Sequence, residues 1–116
     1  MDASQLNQLA IDLGGASAET LVQARRVVQK TCADTKRDAQ IAVPVRTGNL
    51  RSSIGFDVRV TSSGASGEVG PTAAYGGYVE YGTSRSAPRA YMGPAFDRNA
   101  GSFVDAMARL KTAAGL

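Results

Sequence analysis

Residues 17–42 read SAETLVQARRVVQKTCADTKRDAQIA. Within this stretch Leu21, Ala24, Val28, Cys32, Thr35, Ala39 and Ala42 recur at steps of three and four, which places them on one face of an α-helix. Ser17 has the side chain of an N-cap. At the other end Val43-Pro44 stops the helix, because proline has no N–H to donate and pushes the residue before it out of the helical region. The predicted helix holds about 26 residues and runs ~39 Å, long for a small domain unless it lies across a sheet or reaches towards a partner. Its opposite face carries Arg25, Arg26, Lys30, Lys36 and Arg37, with Asp34 and Asp38 nearby. Such a face is either solvated and tied by intrahelical pairs or a surface for phosphate.

Beyond Pro44 the period changes. Thr47-Gly48 reads as a junction, the Thr47 hydroxyl capping a turn and Gly48 letting the chain leave the helix and enter the strand. Leu50, Ile54, Phe56, Val58 and Val60 then alternate with Arg51, Ser53, Gly55, Asp57, Arg59 and Thr61, broken at Ser52, as in a strand with one buried face. SSGASG, residues 62–67, reads as a flexible hairpin connection, and Glu68-Val69-Gly70 as the start of the return strand. Pro71 limits that strand or places it at an edge.

YGGYVEYG, residues 75–82, fits two assignments: Tyr75, Tyr78 and Val79 suit a short helical turn, Val79 and Tyr81 a strand. Residues 84–88 read as a polar loop, and Arg89-Ala90-Tyr91-Met92 as a further strand. Gly93-Pro94 opens a last helix, with proline at its favoured first position. Phe96, Ala100, Phe103, Met107, Leu110 and Ala114 form its apolar stripe, and Gly115 closes it. At the other end of the chain, Asp2 and Gln5 have capping-box spacing and Leu6, Leu9 and Leu13 follow, so residues 1–16 read as a short helix or a flexible arm. The expected architecture is α+β: one domain over residues 1–116, with a small antiparallel sheet packed by a long N-terminal helix and a C-terminal helix.

Composition narrows the chemistry. A 116-residue chain that is 43% hydrophobic and 20% charged has the balance of a folded domain. With no histidine and one cysteine, it offers no Cys/His metal site, no intrachain disulfide and no histidine-based catalysis. No apolar run reaches membrane-spanning length, and acids stand where a signal peptide needs bases, so a protein that is cytosolic at synthesis is expected. Neither a GxGxxG pattern nor a phosphate loop occurs. No cofactor or metal is expected.

Cys32 lies on an apolar stripe and reads as a small buried hydrophobe. Glu80 could be a general base, but it lacks a second carboxylate; a structural acceptor for backbone N–H groups or for Arg51 fits better. Residues 25–51 hold seven basic and two acidic side chains, so a small basic nucleic-acid-binding protein stays an alternative reading. The segment 82–91 is rich in small polar residues that bury little apolar surface. It is expected to be poorly ordered in the free subunit and to dock on a partner through Arg85 and Arg89, with Ser84 and Ser86 beside them.

Three motifs in order now carry a resemblance: PVRTGNLRSSI (44–54), VGPTAAYGGYVEYGTSR (69–85) and RAYMGPAFD (89–97). Together they resemble the small neck or tail-completion proteins of long-tailed bacteriophages and prophages, with Tyr91-Met92 standing where that family often has Pro-Phe. In that pattern Pro44, Thr47, Gly48, Leu50, Glu80, Gly82 and Thr83 are the structural motif positions. The resemblance implies a structural virion protein and no enzyme. It implies copies in a ring, hexameric in the virion, at the joint between head and tail. Head-connector and tail proteins would be its neighbours, with DNA passing through the lumen without sequence-specific binding and no membrane involved.

Overall fold

The computed structural model describes residues 7–43, 48–71 and 91–116. Strand β1 (Asn7–Asp12) is followed by α1 (Ala18–Ala42), a short α2 (Gly48–Ser53), β2 (Ile54–Thr61), β3 (Gly64–Pro71) and α3 (Met92–Ala114). The strands form an antiparallel sheet in the order β1-β3-β2. Leu9 of β1 and Ala65 of β3 share one core with Val28 and Cys32 of α1 and Phe103 and Met107 of α3, so both long helices cover the same face. The architecture is α+β, as the periodicities predict.

Helix α1 forms where its stripe and caps place it. The Ser17 hydroxyl accepts the Thr20 N–H at 3.2 Å. Ala24, Val28, Cys32, Thr35 and Ala39 are buried. Val43 leaves the helix with φ −68° and ψ 140°, the extended geometry required before proline.

The first sixteen residues contain a strand where a helix or arm is expected. Leu9, Ile11 and Leu13 alternate with Gln8, Ala10 and Asp12, a period of two that Leu6, Leu9 and Leu13 disguise as a helical one. Pairing with β3 decides it, burying Leu9 and Leu13 to 5% and 1% exposure. The Asp2–Gln5 capping box lies outside the described residues. Gly15, at φ 81°, then turns the chain into α1.

Strand β2 begins at Ile54 and not at Leu50, because residues 48–53 form α2. The hairpin is also tighter than expected. Thr61 pairs with Gly64, leaving Ser62-Ser63 as the turn, and four residues of the expected flexible connection belong to β3. The small residues there serve packing. A Cβ on Gly64 would run into the Ile11 carbonyl of β1, and one on Gly67 would lie 2.6 Å from Val28 Cγ1 and 2.7 Å from Cys32 Sγ. A strand flanked on both edges and pressed by a helix needs little side-chain volume. Pro71 ends this central strand, opposite Ile54, so it limits length and does not mark an edge.

Helix α3 starts at Met92, two residues before Pro94, so Tyr91-Met92 do not extend a strand; Arg89 and Ala90 lie outside the described residues. Pro94 is the third helical residue, where its missing N–H falls among those with no intrahelical acceptor. Tyr91 and Met92 pack instead into a second cluster with Ala39, Val43, Ile54, Val69 and Ala95. Gly115 closes the helix in the left-handed region at φ 76°, as its position predicts.

Candidate functional site

Of the residues singled out from the sequence, Pro44, Thr47, Glu80, Gly82, Thr83, Ser84, Arg85, Ser86 and Arg89 lie outside the described residues, as does the whole of YGGYVEYG. Gly48 is the first residue of α2, and Leu50 belongs to its backbone. Arg51 ties this short helix to the end of α1. Its Nη2 donates to the Val43 carbonyl at 3.2 Å, and Gln40 Nε2 donates to the Arg51 carbonyl at 3.2 Å. The Arg51 Nε is buried and finds no acceptor among the described residues. The expected Glu80 partner lies outside them.

The basic face of α1 is partly compensated. Lys30 Nζ lies 2.8 Å from Asp34, one helical turn on, and Arg37 reaches both Asp34 (3.9 Å) and Asp38 (3.7 Å). The two pairs to Asp34 have the spacing of intrahelical pairs, i,i+4 and i,i+3, whereas Arg37 and Asp38 are adjacent in the chain. Asp38 also receives Asn99 Nδ2 at 3.0 Å and stands 3.7 Å from Arg98, which fastens α3 to α1. Its side chain is 13% exposed, so this junction is better shielded than an ordinary surface pair. The polar Asn99 interrupting the stripe between Phe96 and Ala100 was the sequence clue to it. Arg25, Arg26 and Lys36 have no ion pair among the described residues.

Cys32 is fully buried under β3, and burial pushes its thiol from 9.0 up to about 11. A raised thiol pKa means that the unfolded chain ionises first as pH rises. Relative to Cys32→Ala, the wild type should therefore hold a constant stability difference below pH 9 and lose stability between about pH 9 and pH 11. Urea melts of the two proteins across that range check this; a flat difference would show that the thiol is not desolvated. Among the described residues no group of His, Cys, Asp or Glu is placed to hold a metal ion, and no helix is long and apolar enough to cross a membrane.

The residues that form β1, α1, α2, β2 and β3 fall within a known sequence pattern. A family model described as "Bacteriophage HK97-gp10, putative tail-component" matches residues 7–82. The chain belongs to this HK97 gp10-like family. No curated protein and no solved structure matches it. The HK97 gp10-like match begins at the first residue of β1, runs through the whole sheet and takes in the Glu80-Tyr81-Gly82 motif; α3 lies beyond it. Membership identifies a phage tail component and so a structural constituent of the virion.

Proposed function

We propose that this chain is a ring-forming subunit at the head-tail joint, completing the tail by binding its neighbours and not by catalysis. The family match over residues 7–82 carries this reading, since it assigns a tail component. A small domain with different surfaces on its different sides suits a closed ring. In this reading other copies and the neighbouring head-connector and tail proteins are its partners, six copies surround the lumen, and DNA passes without sequence readout. Arg85 and Arg89 contact a neighbour's carboxylates, with Ser84 and Ser86 beside them.

Electron microscopy of the purified chain, alone and mixed with connector and tail proteins, tests this directly. Annular particles that join heads to tails are expected. Salt-dependent DNA binding by the isolated subunit, with no annular particle in any mixture, would point instead to a nucleic-acid-binding protein. The arginine contact has its own test: Arg85→Ala with Arg89→Ala should leave the thermal melt nearly unchanged and weaken ring formation or the joining of heads to tails. Unimpaired joining would remove that role.

A further inference from the structure

The described residues present two polar faces on opposite sides of the molecule. One is the open face of the sheet. Side chains alternate along a strand, so the residues turned away from the helices form three cross-strand rows: Gln8-Glu68-Asp57, Ala10-Ser66-Arg59 and Asp12-Gly64-Thr61. Exposed Asp12, Asp57 and Glu68 set three carboxylates there against the single guanidinium of Arg59. Asp57 stands directly opposite Glu68, a like-charge pair that weakens a free sheet. Neither has an ion-pair partner among the described residues.

The other face is the outside of the α1–α3 layer. Arg26, Lys30 and Arg37 recur at steps of four and seven, on the side of α1 turned away from Val28 and Cys32, which meet the sheet. Arg109 of α3 lines the same groove as Lys30, a trough of about 280 Å³ that Asp34, Ser102 and Ala106 also line. Asp34 and Asp38 offset Lys30 and Arg37, and exposed Asp105 stands one turn before Arg109 on the same side of α3, but Arg26 and Arg109 are exposed and without an ion pair among the described residues.

We infer that these faces are the two halves of one contact: the acidic sheet face of one copy docks on the basic helix layer of the next. The occupant is a second copy of this chain, because the complementary charge is carried by the same molecule on its far side. Two unlike patches on opposite sides make a heterologous contact, the kind that closes into a ring where the rotation between copies closes. Docking places cations over Asp57 and Glu68, so their mutual repulsion, unfavourable in the free subunit, is relieved in the assembly. The inference rests on the ring reading and adds which surfaces meet.

Two charge-reversed variants test it, with ring formation measured by sedimentation and electron microscopy, alone and with connector and tail proteins. One carries Asp57→Lys and Glu68→Lys; the other carries Arg26→Glu and Arg109→Glu. Each alone should associate at least about tenfold more weakly than the wild type, because like charges then meet at the contact. An equimolar mixture should recover association, since every contact in it again joins opposite charges, and wild-type association should weaken with salt. If the reversed pair folds poorly, Asp57→Asn with Glu68→Gln provides a second readout: a melting temperature equal to or above that of the wild type, together with weaker ring formation. Rings formed equally well by all variants, or a mixture that does not recover, would overturn the pairing and leave the ring reading standing. A wild type that makes no ring in any mixture would remove both.

Discussion

Phe103→Ala should lower the stability of this chain by about 3–5 kcal/mol, a large share of the ~6–17 kcal/mol expected for a domain of this size. Phe103 is 6% exposed and belongs to the cluster that joins Leu9 and Leu13 of the first strand and its turn to Val28 and Cys32 of α1. Truncation removes the contacts of a whole ring and leaves a void whose walls come from two helices and a sheet, which cannot all close on it together. The result also tests the architecture, because α3 lies beyond the matched residues 7–82. Denaturant unfolding with an unchanged slope gives the number. A loss below ~1 kcal/mol would mean that α3 is an appendage and not part of the core.

Gly67→Ala should cost about 1–3 kcal/mol although it adds a single methyl group. That methyl would sit 2.6 Å from Val28 Cγ1 and 2.7 Å from Cys32 Sγ, and both side chains are fully buried, so neither can swing away. Relief requires α1 to lift from the sheet. The matching double variant separates this cause from a loss of strand pairing: with Cys32→Ala in place, part of the clash is gone, and the second substitution should cost less than it does alone. Strict additivity would show that the helix is not what Gly67 accommodates.

These two positions differ in how visibly the sequence announces them. Phe103 sits in a clean stripe closed by Gly115, and α1 has an N-cap, a stripe and a proline, so local rules and tertiary packing agree for both helices. Gly67 sits in a run of serine and glycine that reads as loop by composition alone. Its meaning depends on α1 crossing above it, which no local pattern reveals. The same misreading hid the acidic sheet face. With a six-residue connection Glu68 would stand opposite Thr61; with the turn at Ser62-Ser63 it stands opposite Asp57, so the charge pattern depends on a register that only the structure supplies. β1 escaped notice because Leu9 and Leu13 fit a helical spacing with Leu6 and a strand spacing with Ile11, and pairing with β3 chose between the two. The family was legible from motifs in order and spacing, of which 44–54 and most of 69–85 fall within the matched residues 7–82 and 89–97 lies beyond them, while the contact proposed for Arg85 and Arg89 needs a partner to test it.

The strand order has a consequence for how the sheet is completed. β2 and β3 are neighbours along the chain and can meet by closing a two-residue turn, whereas β1 must be brought across the whole of α1 and α2 to reach the other side of β3. That long closure carries the larger entropy penalty. In any state where β1 is undocked, β3 has a bare row of backbone donors and acceptors, and its glycines offer no bulky side chain to obstruct an approaching strand. The segment that completes the sheet is therefore also its shield against intermolecular strand addition. In the ring proposed above, β1 would separate ordered association through side-chain surfaces from uncontrolled association through the backbone.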